Sequence, residues 1–240
     1  MQILGVIPAR LGSTRLSRKP LRELCGQPMV GWVYEAARRS ALLSEVLVAT
    51  DSPEILDVCR RNGWNARLTS GKHRSGTERV HEISQAIAAE VYINIQGDEP
   101  LTRPEHIDAL VTLMSRDKTE VGTLKTACPP AELNNPNVVK VVTDACGRAL
   151  YFSRATIPFD REGTGDAHCF KHLGFYAYRK PALDRFVALP ESNLELTERL
   201  EQLRFLENGI AIMVAETPFD TVSVDTEEDL RRAETALSRR

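Results

Sequence analysis

Along the chain, short hydrophobic runs alternate with segments whose apolar residues recur at helical spacing. Ile3 to Ile7 is a compact apolar run ending at Pro8, which predicts a buried strand at the start. A long polar loop follows. Met29, Trp32, Val33, Ala36 and Ala37 then recur at helical spacing within Pro28 to Ala41, and Pro28 suits a first turn. Glu45 to Thr50 is the next strand. Ser52 and Pro53 form an N-cap and N1 pair that opens a helix to Arg61, stopped by Gly63. Thr77 to Ala89 reads as helix, Val91 to Gln96 as strand, and Thr102 with Glu105 as a capping box for a helix through Met114. This alternation predicts an α/β fold with a mainly parallel central sheet flanked by helices, where ligands bind beyond the carboxyl ends of the strands.

Past about residue 120 the rhythm changes. Strand-like runs at Val138 to Thr143 and Ala149 to Phe152 are joined by Asp144-Ala145-Cys146-Gly147, a hairpin signal. His172 to Tyr178 is a further strand, Pro181 to Ala188 and Leu194 to Glu207 read as helices, Ile210 to Glu216 as strand, and Thr226 starts the last helix. Without a repeat or linker, the expectation is a single domain over residues 1–240, with a smaller mixed β region around residues 120–190. Arg161 to Ala167, rich in glycine and charge, is a candidate mobile loop.

Charge narrows the function. Thirty-one basic and 33 acidic residues leave a net charge of -2, without the basic excess of a nucleic-acid binder, so any anion must be met by a local cluster of cations. No apolar run approaches the roughly 20 residues of a membrane span, and no secretory signal opens the chain. Five scattered cysteines with no CxxC suggest reduced thiols in a cytoplasmic protein, with Cys25 and Cys59 as small core residues.

Three constellations could carry chemistry. The first strand leads into Pro8-Ala9-Arg10-Leu11-Gly12-Ser13-Thr14-Arg15-Leu16-Ser17-Arg18-Lys19, where four cations crowd one loop with a glycine and three hydroxyls. Guanidinium forks, a compact ammonium and backbone N–H groups suit a polyphosphate, and a solvated basic loop is the plainer alternative. The loop is neither a Walker A motif nor GxGxxG. In the second, Asn94-Ile95-Gln96-Gly97-Asp98-Glu99-Pro100, a strand runs out at an acid: Asp98 either anchors Mg2+ beside substrate phosphates or caps a turn. In the third, Asp225 precedes a helix start, where dipole and capping alone justify an acid. Lys72 to Arg79 is donor-rich at a helix start. His172 and Tyr176 share a strand face, as ligand contacts or as core groups. Glu201 and Gln202 lie on a predicted helix, as ligand contacts or as exposed positions.

Nine ordered blocks across residues 3 to about 230, namely IPARLGSTRLSRKPL, VATD, SGTERV, INIQGDEP, NPNVVKVV, LYFSRATIP, HLGFYAYR, LEQLRFLENG and SVDTEEDL, resemble the 3-deoxy-manno-octulosonate cytidylyltransferases, or CMP-Kdo synthetases. The resemblance implies a nucleotide-diphosphosugar transferase fold, a homodimer, Mg2+ dependence, and coupling of CTP to the eight-carbon acidic sugar Kdo for lipopolysaccharide synthesis. It implies that Arg10, Arg15 and Lys19 hold the triphosphate, Pro8 and Ala9 line the cytosine site, and Ser75, Gly76, Thr77 and Gln96 complete the nucleotide pocket. Asp98 and Asp225 would be the Mg2+ ligands, with Lys19 acting in catalysis. His172, Tyr176, Glu201 and Gln202 would face the sugar, and Arg161 its carboxylate. Where the family commonly reads RLPGKPL, Ser17 and Arg18 replace the Pro-Gly pair. Other sugar acids, the 8-amino derivative among them, and a non-catalytic CTP-binding module are the alternatives. A DxD glycosyltransferase is disfavoured because QGDEP lacks the second acid at that spacing.

Overall fold

In the computed structural model, which describes residues 1–12, 16–116, 119–163 and 168–239, the first apolar run forms β1 (Ile3–Ala9). The strand continues past Ile7 because β1 pairs with its neighbour on one side only as far as Val6, so Pro8 lacks no N–H that a ladder needs. A two-residue ladder, β2 (Glu23–Leu24) with β3 (Gln27–Pro28), turns through Cys25 and Gly26, both at positive φ (48° and 78°). Cys25 is therefore exposed at a tight turn, contrary to its expected core position. Cys59 is buried, and burial pushes its thiol up to about 11.

Then come α1 (Met29–Arg38), β4 (Glu45–Thr50), α2 (Pro53–Arg61), β5 (Ala66–Leu68), α3 (Gly76–Ala86), β6 (Val91–Asn94) and α4 (Pro104–Met114). Ser52 caps α2 by accepting from the Ile55 N–H, and Gly63 follows at φ 69°, as the sequence predicts. The capping box expected at Thr102 is not seen: α4 starts at Pro104, which puts Thr102 one residue before the N-cap position, and the Thr102 hydroxyl donates to the Glu99 carbonyl at 2.6 Å. Strands β6, β1, β4 and β5 lie side by side in that order, all parallel. They belong to the first of two compact units, Met1–Asp108 with Thr221–Arg240; the second is Ala109–Asp220.

In the second unit β7 (Val121–Ala127), β8 (Lys140–Thr143), β9 (Ala149–Ser153) and β10 (Phe170–Arg179) are antiparallel neighbours in the order β7, β10, β8, β9. The β8–β9 hairpin turns as predicted, with Gly147 at φ 82°. Strand β7 escapes sequence reading because Gly122, Thr123, Lys125 and Thr126 break its apolar alternation, yet Thr123 is fully buried and its hydroxyl donates to the Phe175 carbonyl at 2.7 Å.

Helix α5 (Lys180–Ala188) is followed by α6 (Asn193–Glu198) and α7 (Leu203–Glu207), where the sequence predicts one helix from Leu194 to Glu207. Arg199 breaks it at φ 56°. The break has a reason in the ion pair of Glu195 with Arg204, at 2.5 and 2.8 Å and buried. Nine residues at about 3.6 per turn place two side chains on opposite faces of a continuous helix, so pairing requires a bend. Strand β11 (Ile212–Glu216) then pairs parallel with β7.

The last helix, α8 (Glu227–Leu237), belongs to the first unit. Thr226 and Asp229 form its capping box. Its apolar face, Leu230, Ala233 and Leu237, is buried with Leu16, Leu24, Met29, Leu101 and Val224. Each large aliphatic side chain buried contributes about 1.5–3 kcal/mol. This cluster therefore ties together the segments that carry Lys19, Asp98 and Asp225.

Candidate active site

At the carboxyl end of β1 the chain enters the basic loop and, after a left-handed residue at Arg18 (φ 55°), makes a 3-10 turn from Lys19 to Leu21. That turn aims the Lys19 ammonium between two carboxylates from remote parts of the chain. It donates to Asp98 at 2.6 Å and to Asp225 at 2.9 Å. The Val224 N–H donates to the Asp98 carbonyl at 2.9 Å, which sets the two aspartates side by side. Burial works against the charged ammonium, but Asp98 and Asp225 outweigh it and hold the Lys19 pKa above its ordinary value. Gly97 lets the chain just before Asp98 lie against the end of β1: a Cβ there would fall 2.7 Å from the Pro8 carbonyl oxygen.

The facing wall is the start of α3. Ser75 caps it, its hydroxyl accepting from the Glu78 N–H at 3.3 Å, and Gly76 is its first residue. The preceding loop is held by the His73–Glu82 contact and by the Glu82 carboxylate, which accepts from the Ser70 N–H at 2.9 Å. Arg79, buried, donates to Asp51 at 3.1 Å, to the Ser70 carbonyl at 3.3 Å and to the Thr69 hydroxyl.

Between these walls lies a cleft of about 420 Å³, within the range of small-ligand sites. Of the residues singled out from the sequence, Pro8, Ala9, Arg10, Lys19, Ser75, Gly76, Gln96, Asp98 and Asp225 line it. Thr77 is fully buried and is not among the lining residues. Arg15 lies outside the described residues. The pairing of Arg79 with Asp51 escapes sequence reading because a buried ion pair between a helix and a strand end has no short-range signature. The arrangement gathers Arg10, Lys19, Arg74 and Arg79 around one opening, which suits a polyanion. Among the described residues no group of three or more His, Cys, Asp or Glu is placed to hold a metal, and Asp98 and Asp225 are two carboxylates that share the Lys19 ammonium.

The remaining residues lie in the second unit. On β10 a bulge between Leu173 and Tyr176 keeps His172 and Tyr176 together, ring centroids 5.3 Å apart. Tyr176 stacks on Tyr178 at 5.7 Å, and His172 meets Phe152 edge-on at 5.1 Å. Burial pushes His172 down to about 3, so its imidazole is neutral, and burial drives the Tyr176 phenol up. Glu201 and Gln202 sit in the turn between α6 and α7, not on the helix expected from the sequence. Gln202 Nε2 is buried without a hydrogen-bond partner among the described residues. Arg161 is exposed, and four residues of its loop, 164–167, lie outside the described residues. No described helix is long and apolar enough to cross a membrane.

Comparison with known proteins bears on this arrangement. A family model described as cytidylyltransferase matches residues 4–212. The 3-deoxy-manno-octulosonate cytidylyltransferase of Koribacter versatilis is 62% identical over 240 residues, covering 100% of this chain and 92% of that protein. That of Acidobacterium capsulatum is 56% identical over 240 residues, covering 100% and 98%. The solved structure of a CMP:2-keto-3-deoxy-manno-octonic acid synthetase complexed with CTP superimposes with a TM-score of 0.95 at 41% identity, covering 100% of this chain and 99% of that one.

Proposed function

Since this chain belongs to the 3-deoxy-manno-octulosonate cytidylyltransferase family and is a nucleotidyltransferase, we propose that its cleft binds CTP and that it transfers CMP to Kdo, releasing pyrophosphate. The observation that carries this reading is the Lys19 ammonium held by Asp98 and Asp225 in a cleft lined by further cations. In the reaction the anomeric oxygen of the sugar forms a bond to the α-phosphorus, the bond between that phosphorus and the α–β bridging oxygen breaks, and the hydroxyl proton passes to solvent.

Both reactants are anions. At 4 Å each pair of like unit charges costs roughly 1 kcal/mol in water and about 4 kcal/mol at an effective dielectric of 20. Repulsion summed over a triphosphate and a carboxylate would dominate without opposing charge. Arg10 grips phosphate oxygens as a fork, and Lys19 supplies a compact charge at the aspartate pair. Ser75 and the N–H groups at the start of α3 position the nucleotide. Asp98 and Asp225 are hard oxygen donors already gathered around a cation, the Lys19 ammonium, so they fit Mg2+ and would hold it in the cleft. When bound, the metal adds positive charge against the phosphates.

His172, Tyr176, Glu201 and Gln202 would receive the sugar, and Arg161 its carboxylate. The protein would act as a homodimer in the cytoplasm, supplying activated sugar for lipopolysaccharide synthesis. A panel measuring pyrophosphate release tests the reading, with CTP or UTP, Mg2+ present or removed by chelator, and Kdo, its 8-amino derivative or a nine-carbon sialic acid as acceptor. Release is expected with CTP, Mg2+ and Kdo. Nucleotide binding without release under any combination would leave a binding module in its place.

A further inference from the structure

One buried polar group behind the cleft has no use in the fold. Asn94 ends β6, is fully buried, and neither its Oδ1 nor its Nδ2 finds a hydrogen-bond partner among the described residues. Its place is specific. A Cβ built on Gly76 would come 3.4 Å from Asn94 Nδ2 and 3.4 Å from Pro8 Cγ, so the amide lies directly behind the first residue of α3 and beside the end of β1. Gly76 and Pro8 both line the cleft, and the Asn94 amide, which does not itself line it, lies immediately behind them. An unpaired buried amide is destabilising, and an apolar side chain of the same shape would remove that cost. A liability of this kind in an otherwise consistent strand marks a functional position.

We infer that Asn94 is a nucleobase-sensing residue, its amide left unsatisfied in the free protein and completed when a pyrimidine nucleotide seats against Pro8 and Gly76. An amide presents one donor and one acceptor side by side. Cytosine offers the complement in its N3 acceptor and exocyclic amino donor, and a turned-over amide meets the reversed pair of uracil equally well. Asn94 therefore contributes affinity for pyrimidine nucleotides as a class. Selection of CTP over UTP lies with other groups.

The inference rests on the nucleotide reading of the cleft, and Asn94→Leu separates the two. The variant is expected to unfold about 2–6 °C above the wild type without ligand, to bind CTP and UTP about tenfold or more weakly, and to bind inorganic tripolyphosphate as the wild type does. Wild-type protein that binds no nucleotide would overturn the nucleotide reading itself. CTP affinity within threefold of wild type, an equal loss of tripolyphosphate binding, or a lowered unfolding temperature would each overturn the role of Asn94 alone. If the variant does not fold, the side-chain amide resonances of Asn94 in labelled wild-type protein decide. Saturating CTP is expected to shift them and slow their exchange with solvent, and resonances that do not move sink the inference.

Discussion

Lys19 donates to Asp98 at 2.6 Å although 79 residues separate them. Asp225, 206 residues from Lys19, accepts from the same ammonium. Lys19→Met is expected to lower kcat for pyrophosphate release by about 100-fold, the size of effect seen when one preorganised charge donor is lost. Because its pKa is held above the usual 10.5, Lys19 stays charged throughout the neutral range, and its contribution to stability is lost only as pH rises through that elevated value. Turnover within about threefold of wild type would remove Lys19 from the chemistry.

Asp98→Asn keeps the shape of the site but withdraws one of two carboxylates. Turnover at saturating Mg2+ is expected to fall by at least about tenfold, and half-saturation to move to higher Mg2+, because a neutral amide oxygen is a weaker ligand for a hard cation. A Mg2+ titration of initial rates measures both. Rates within a few-fold of wild type would exclude this aspartate as a metal anchor.

Arg18 adopts φ 55° and ψ 32° with an exposed side chain paired to Glu54. Left-handed backbone costs a residue with a Cβ about 1–2 kcal/mol, more than an exposed ion pair returns. Arg18→Gly is therefore expected to be about 1 kcal/mol more stable than Arg18→Ala, the reverse of their order at ordinary sites. Urea unfolding midpoints of the two variants check the order, and equal midpoints would show that the loop adopts another conformation.

Burial pushes His172 from 6.5 down to about 3, so between those values the unfolded chain binds a proton that the folded chain refuses. Stability must then rise with pH across that window, and acidification removes it. Between pH 6.5 and 4.5 the wild type is expected to lose about 2–3 kcal/mol more than His172→Phe. Parallel urea titrations at the two pH values supply the comparison, and identical losses would show that the imidazole gains a proton without penalty.

Much of the first unit was legible because its signals are local. The apolar runs at Ile3 and Glu45, the Ser52-Pro53 cap and the Thr226 helix start each act within a few residues, and each forms the expected element. Asp98, Ser75 and Gly76 are legible at strand or helix ends for the same reason, and Lys19 in the basic loop after the first strand. Strand β5, half exposed and three residues long, has no such signal, and neither has β7 with its polar interior.

The sequence by itself determined the chemistry on offer: a cationic loop, acids at the ends of an apolar strand and before a helix, and a family pattern running through nearly the whole chain. Only the tertiary structure decided which of these groups share a site. The approach of Lys19 to both aspartates, the Arg79–Asp51 pair, the break between α6 and α7, and the unsatisfied amide of Asn94 all depend on contacts between segments far apart in the chain. Local pattern carries no record of such contacts, because closing a long loop is favourable only once the core on both sides has packed.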